Sequence, residues 1–227
     1  MKGRGSVTAS RGRQYVLPVT PFPPVSIRLL GPQDARPEVL SPEETARLVT
    51  FAHEARRAGF ILGRTAARTL LAESLGCSPE VVPLHVAADG APVVPGADVQ
   101  VSIAHAGAEA GGAAVSRVAV GLDLEPIRSR HPDLWRRILA PEEHALLDAL
   151  GGPTDETQTL LWSLKEAVLK ARRTGLRAGT RSVRLLRLGA EAGEATDTDG
   201  GAWALGFERR GDVWVTWALR DDTVSWR

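Results

Sequence analysis

Hydrophobic and polar positions alternate most clearly over residues 118–126, VAVGLDLEP, which predicts a β-strand. One face carries Val118, Val120, Leu122 and Leu124, and the other carries Ala119, Gly121, Asp123 and Glu125. The two carboxylates therefore point the same way, and in a partly buried setting one takes up a proton unless a cation lies between them. The same alternation is also typical of an edge strand with one solvated face, and the pattern alone leaves both interpretations open.

The N-terminal half begins with an apolar strand and then changes to a helical period. VSIRLL at 25–30 reads as a strand, and Ser41 with Glu44 forms the Ser-x-x-Glu pattern of a helix start. Apolar spacing predicts helices near 42–57 and 60–75, broken about Gly59, with Gly76 as the stop. Short strands and turns follow, and then a strand at 99–107.

After the 118–126 strand the pattern predicts two short helices within 131–150 and a longer helix over 156–173. The remaining segments are strands at 182–188, 202–209 and 213–220, with a loop at 189–201. The last two strands are expected to pair across an RRGD turn. Each half thus offers helices and a few strands, which predicts an α+β fold of two related lobes joined near 115–120.

Composition limits the classes of protein that fit. The chain has 227 residues, 43% of them hydrophobic, and a formal net charge of +1, which suits one large domain or two small ones. Such a balance gives no broad basic surface for nucleic acid. No apolar run is long enough to cross a membrane, and the first 15 residues lack the core of a secretory signal, so we expect a cytoplasmic protein. Cys77 is the single cysteine and is predicted to be a small core residue.

Lysine is scarce, with three residues against 25 arginines, and two of the three lie in WSLKEAVLK at 162–170. Because a compact ammonium can approach a phosphate or donate a proton in ways that guanidinium cannot, this segment is a candidate for chemistry. At 100° per residue Trp162, Glu166 and Lys170 share one flank of the helix. The alternative is an ordinary exposed Glu–Lys pair. The large indole on the same flank argues against it, because it indicates that this face packs against another part of the protein.

If that flank packs on the 118–126 strand, Asp123, Glu125 and Glu166 meet. A set of carboxylates without cysteine suits Mg²⁺, which is commonly bound together with substrate phosphates. His105, in a small-residue turn after the 99–107 strand, is a candidate phosphate donor, although a lone histidine is more often structural. Four arginines around the predicted helix break could hold further phosphate oxygens. They are Arg56, Arg57, Arg64 and Arg68.

The three segments VSIAHAG, VGLDLEP and WSLKEAVLK, in this order, resemble the motif set of the larger single-chain 4′-phosphopantetheinyl transferases, which activate peptide and polyketide synthases. The segment RRAGFILGRTAARTLL is similar to the coenzyme A helix of that family. The resemblance covers residues 56–170. One departure is Ala104, where the family commonly has serine before the motif histidine.

The resemblance implies two similar α+β lobes related by pseudo-two-fold symmetry, with coenzyme A in the cleft between them. Asp123, Glu125 and Glu166 would bind Mg²⁺, with Mn²⁺ as a substitute. Glu166 would help deprotonate a serine hydroxyl of an apo carrier protein, and Lys170 would assist departure of 3′,5′-ADP. The implied coenzyme A-binding residues are Arg57, Arg64, Ser102, His105, Lys165 and Lys170.

The expected organisation is a flexible N-terminal tail at 1–24, an N-terminal lobe at 25–117 and a C-terminal lobe at 118–227. The expected partners are coenzyme A and an apo carrier protein or carrier domain of a polyketide, peptide or fatty-acid synthase, with no nucleic acid and no membrane, and the protein is expected to be a monomer. Two rival functions remain: a metal-dependent phosphodiesterase, and a noncatalytic module that binds coenzyme A or a carrier.

Overall fold

Eleven strands and five α-helices make up the computed structural model, which describes residues 14–15 and 25–221. The strands are β1 (Gln14–Tyr15), β2 (Val25–Leu30), β3 (His85–Val86), β4 (Pro92–Val93), β5 (Gln100–Ala106), β6 (Ala110–Ser116), β7 (Val120–Pro126), β8 (Val183–Leu188), β9 (Ala192–Asp197), β10 (Ala202–Arg210) and β11 (Val213–Arg220). The helices are α1 (Pro42–Leu48), α2 (Glu54–Leu75), α3 (Pro132–Ile138), α4 (His144–Ala149) and α5 (Asp155–Ala171). The α+β prediction is confirmed. Most of the predicted tail at 1–24 lies outside the described residues.

Two antiparallel sheets organise the chain. The first has the order β1-β2-β6-β5 and the second has the order β7-β11-β10-β9-β8. α2 packs on β2, β5 and β6, whereas α5 packs on β7 and β11. The division into two lobes at residue 117 stays a prediction, but each of these sheets is covered by one long helix.

The edge strands β5 and β7 lie next to each other, and this contact joins the two sheets. The backbone N–H of Leu122 donates to Ser102 Oγ at 2.9 Å. A buried hydrophobic cluster combines Val25 and Ile27 of the first sheet with Leu122 and Trp217 of the second. The sheets are therefore held together by apolar burial, since transfer of such side chains from water is favourable.

The helix around Gly59 differs from the prediction. α2 runs unbroken from Glu54 to Leu75, and the interruption lies before it, between α1 and α2. Glycine is needed at position 59 because a Cβ there would lie 2.3 Å from the backbone oxygen of Gly107. This glycine allows close approach of two backbones rather than ending a helix. The predicted stop at Gly76 is confirmed by its left-handed φ of 68°.

Gly121 brings β7 unusually close to α5. A Cβ at this position would lie 1.8 Å from the backbone oxygen of Ala167 and 2.7 Å from the nitrogen of Ala171. Two residues further along the same face stands Asp123. The missing side chain at 121 therefore sets the distance between the carboxylate-bearing strand and the helix that carries Glu166 and Lys170.

Two further predictions were wrong. The segment 189–201 is not simply a loop, because it contains β9, which pairs with both β8 and β10. Cys77 is exposed rather than buried, since it follows the end of α2. Among the described residues, no helix has the length and apolar character needed to cross a membrane.

We expect Gly121→Ala to destabilise the protein by about 3 kcal/mol or more, because the contact is with backbone atoms that cannot rotate away. Gly189→Ala is the matched control, since its Cβ would meet its nearest neighbour at an ordinary 3.5 Å. Urea unfolding of both variants measures the difference. Equal stability of the two variants would contradict the close packing of β7 on α5.

Candidate active site

Asp123 is the centre of a hydrogen-bonded cluster between β7 and α5. Its Oδ1 accepts from Lys170 Nζ at 2.7 Å, and its Oδ2 accepts from Ser163 Oγ at 2.8 Å. Ser163 in turn lies 2.9 Å from the hydroxyl of Thr216, which faces Asp123 in the β7–β11 register. Lys170 also donates to the carbonyl oxygen of Leu122 at 3.0 Å. The carboxylate and the ammonium are thus fixed relative to each other.

Glu166 lies one helical turn before Lys170 and faces the same space. Its buried Oε1 has no hydrogen-bond partner among the described residues. Burial, as the largest cause, and the negative charges of Asp123 and Glu125 together raise the pKa of Glu166 to about 7, against the opposing effect of Lys170. A carboxyl group with a pKa near neutrality can accept or release a proton under ordinary conditions.

Glu125 faces the same way as Asp123, as the alternation predicted. Burial raises the pKa of Glu125, and so does the nearby charge of Asp123, while Arg130 counteracts both. The Arg130 guanidinium forms a direct hydrogen-bonded ion pair with Glu125 Oε1. The interpretation of β7 as a strand with a solvated face is therefore wrong, because Asp123 is 6% exposed.

The flank predicted for α5 is also confirmed. Lys170 pairs with Asp123 across the interface rather than with Glu166 along the helix, which excludes the simple exposed Glu–Lys pair. Trp162 packs edge-on against Trp135 at a centroid distance of 6.0 Å. The indole therefore anchors this flank in the fold.

The three carboxylates do not form a ready-made metal cage. Within residues 14–15 and 25–221, no group of three histidine, cysteine, aspartate or glutamate side chains is arranged to hold a metal ion. Asp123 and Glu125 each direct an oxygen to a basic side chain instead. The donor chemistry nevertheless fits Mg²⁺, because all three groups offer oxygen and the buried Glu166 Oε1 is left without a partner.

His105 lies within β5, one residue before its end, rather than in the turn that follows it. Its ring packs near Gly59 of α2. Burial lowers the pKa of His105, and the positive charges of Lys170 and Arg56 lower it further. The structure therefore brings His105 into the electrostatic environment of Lys170, where a neutral imidazole is favoured.

The two predicted phosphate-binding arginines occupy different surroundings on α2. Arg57 is exposed and pairs with Glu54 of the same helix at 3.1 Å. Arg64 is buried beside Glu44, at 3.4 Å, and lines a pocket of about 400 Å³ together with Arg47 and Phe60. Arg57 and Arg64 are seven positions apart on the helix, which corresponds to about 10 Å along the axis.

Two residues predicted to contact coenzyme A have roles inside the fold. Lys165 has no exposed surface and donates to Glu143 at 2.6 Å and to the carbonyl oxygen of Ile138 at 3.1 Å, so its prediction as a ligand contact is wrong. Ser102 is 5% exposed and accepts the N–H of Leu122. Its hydroxyl oxygen links the two sheets, and the contact of Ser102 with coenzyme A stays a prediction.

Three residues near the carboxylates were missed from the sequence: Arg130, Ser163 and Thr216. Ser163 stands inside the WSLKEAVLK motif, so its proximity to the site could have been inferred from the motif. Thr216 interrupts an apolar strand, which is a weak signal of an internal hydrogen bond. Arg130 is one arginine among many, and nothing in its local pattern distinguishes it.

The site thus combines buried carboxylates with an ammonium on an α+β frame. Residues 119–218 match the 4′-phosphopantetheinyl transferase superfamily, and residues 44–116 match the 4′-phosphopantetheinyl transferase N-terminal domain. Together the matches cover about three quarters of the chain. The chain belongs to the 4′-phosphopantetheinyl transferase family.

Two curated proteins are similar to the chain. A 4′-phosphopantetheinyl transferase of Bacillus subtilis is 28% identical over 149 residues, covering 64% of this chain and 66% of that protein. A Synechocystis sp. protein, provisionally named as a 4′-phosphopantetheinyl transferase, is 29% identical over 154 residues, covering 64% and 61% respectively. The matched region thus spans slightly less than two thirds of each relative.

We expect Glu166→Gln to stabilise the metal-free protein at pH 8. A carboxyl pKa raised from 4.5 to about 7 means that the folded state holds a proton that the unfolded state releases, so stability falls as pH rises through that window. After allowance for solvent screening, the gain is of order 2 kcal/mol, or about 4–8 °C in Tm.

At pH 4.5 the parent carboxyl is protonated in the folded state, and the two proteins should differ much less. Thermal unfolding of both proteins in the presence of a chelator, at pH 4.5 and pH 8, measures the effect. A Tm difference that does not change with pH would contradict the perturbed titration of Glu166.

Proposed function

We propose that this protein transfers the 4′-phosphopantetheine group of coenzyme A to a serine hydroxyl of an apo carrier protein and releases 3′,5′-ADP. The observation that carries the proposal is the cluster of Asp123, Glu166 and Lys170, in which a carboxyl of near-neutral pKa lies beside an ammonium. Family membership supports the reaction class. The carrier would be an acyl, peptidyl or aryl carrier protein.

Coenzyme A would lie along α2. The pocket beside Arg64 offers a buried guanidinium and the aromatic ring of Phe60, which suit a phosphate and an adenine respectively. Further toward the start of α2, Arg57 and His105 would contact the pyrophosphate, with Lys170 beyond them. In this arrangement the phosphate groups of coenzyme A would extend from the pocket toward the carboxylates.

Asp123, Glu125 and Glu166 would hold Mg²⁺, and Mn²⁺ would substitute for it. When bound, the ion would polarise the phosphate oxygens and neutralise charge that develops during transfer. The chain itself supports this assignment in two ways. The buried Glu166 Oε1 has no hydrogen-bond partner within residues 14–15 and 25–221, and a bound cation would relieve the mutual repulsion of the three carboxylates.

The side chains of the protein would handle the protons. Glu166 would accept the proton of the attacking serine hydroxyl, directly or through water, as its oxygen forms a bond to the β-phosphorus. The bond from that phosphorus to the 3′,5′-ADP oxygen breaks, and Lys170 would neutralise or protonate the departing oxygen. Asp123 positions Lys170 through the 2.7 Å ion pair, and Ser163 fixes the other oxygen of Asp123.

Intact-mass analysis tests this function. A panel of apo carrier proteins is incubated with this protein, coenzyme A and Mg²⁺. We expect a carrier protein to gain the mass of one phosphopantetheinyl group, with release of an equal amount of 3′,5′-ADP. Binding of coenzyme A without any product would favour the noncatalytic module. Cleavage of DNA or of a phosphodiester substrate without carrier modification would favour the phosphodiesterase.

The Lys170→Arg exchange tests whether a positive charge at position 170 is sufficient for the reaction or whether proton transfer is also needed. Because the Lys170 side chain is partly exposed, we expect the larger guanidinium to be accommodated with little loss of Tm. Arginine cannot give up a proton, so the rate of carrier modification at saturating coenzyme A and Mg²⁺ should fall by about 10²-fold or more.

Lys165→Arg is the contrasting variant, because Lys165 is fully buried against Glu143. It should lower Tm while the rate per folded molecule stays near that of the parent. A parental rate for Lys170→Arg, or a loss of rate confined to Lys165→Arg, would remove Lys170 from the reaction.

A further inference from the structure

Arg130 is fixed on several sides between α3, α5 and the end of β7. Its Nη1 donates to Thr159 Oγ1 at 3.1 Å, and its Nη2 donates to Glu125 Oε1. The guanidinium carbon lies 5.8 Å from the ring centre of Trp135 and 5.5 Å from that of Trp162. The Arg130 side chain is 11% exposed, so it is enclosed rather than free to move through solvent.

The ion pair engages one oxygen of Glu125. The second oxygen of this carboxylate has no part in the ion pair, and the Glu125 side chain is 19% exposed, so part of the side chain is accessible. If Arg130 competed with a metal ion for Glu125, the metal ion would have to displace the guanidinium. Arg130 is instead held by a buried hydroxyl and two indole rings. The arrangement suits a cation that stays in place and orients the carboxylate.

We propose that Arg130 is a positioning residue that fixes Glu125 so that its other oxygen can bind the metal ion. The inference rests on the proposed function, in which Glu125 is one of the carboxylates that hold Mg²⁺. Carboxylates that bind metal ions are commonly hydrogen-bonded by a second group, and loss of that group typically weakens metal binding by 10- to 100-fold. Arg130 would be this second group for Glu125.

The geometry also explains why arginine is used. A guanidinium can donate to Thr159 from one nitrogen and to Glu125 from another while its flat face lies near aromatic rings. Lysine would keep the charge but could not satisfy these contacts in one fixed orientation. Substitution of Arg130 by lysine therefore keeps the positive charge but removes the fixed orientation.

Titration with Mn²⁺ tests the proposal, with free Mn²⁺ measured by electron paramagnetic resonance in the presence of coenzyme A and without carrier protein. Coenzyme A alone gives the background. We expect Arg130→Gln to raise the Kd for Mn²⁺ by about 10- to 100-fold. Arg130→Lys, which is less prone to fail in folding because the charge is kept, should also weaken binding, though by less.

Arg128→Gln is the matched control, because it removes the same charge two residues away from an exposed position. Its Kd should remain within about threefold of the parent value, and Tm measurements identify variants that are simply unfolded. Folded Arg130 variants that bind Mn²⁺ like the parent, or an equal loss in Arg128→Gln, would overturn the positioning role alone. A parent protein that binds no Mn²⁺ would overturn the metal assignment in the proposed function, and this inference with it.

Discussion

Three carboxylates share one partly buried space with two cations, and this imbalance is the constraint on which the site depends. Lys170 forms an ion pair with Asp123 and Arg130 forms one with Glu125, whereas the buried Oε1 of Glu166 has no hydrogen-bond partner in the part of the chain that the structure describes. Desolvation of an unpaired carboxylate is costly, which is why the pKa of Glu166 moves toward neutrality. The folded protein thus keeps a destabilising buried carboxylate at Glu166, where a bound cation would stabilise the charge.

Backbone packing makes this arrangement possible. Gly121 lets β7 approach α5 closely enough for a short aspartate to reach Lys170 on the helix. Ser163 of α5 then donates to the other oxygen of Asp123, and Thr216 of β11 is hydrogen-bonded to Ser163. Each buried polar group in this chain of contacts has a partner, so the carboxylate is held in one orientation.

The sequence predicted those parts of the site that depend on local periodicity. Alternation placed Asp123 and Glu125 on one face, and the 3.6-residue period placed Glu166 with Lys170, because both patterns follow from backbone geometry. Helix α5 and the pairing of β10 with β11 were predicted for the same reason.

Contacts distant in sequence were not predictable in this way. Lys165 and Lys170 look alike in the motif, yet one is enclosed by Glu143 and the other faces Asp123. Gly59 was interpreted as a helix break because the sequence does not show the close approach of the Gly107 backbone, which is the reason that glycine is needed there. Arg130 was missed because its partners Thr159 and Trp162 are brought to it only by the tertiary fold.

The enclosed Lys165–Glu143 pair couples α5 to the C-terminal sheet. Glu143 also accepts the N–H of Leu185, 42 residues away on β8, and the N–H of Ala140. Without β8 in place, this carboxylate and ammonium would be only partly shielded from water, so burial of the ion pair depends on the C-terminal sheet. The helix that carries Glu166 and Lys170 is therefore held in place partly through β8, which lies at the opposite edge of the sheet from the carboxylate-bearing strand β7.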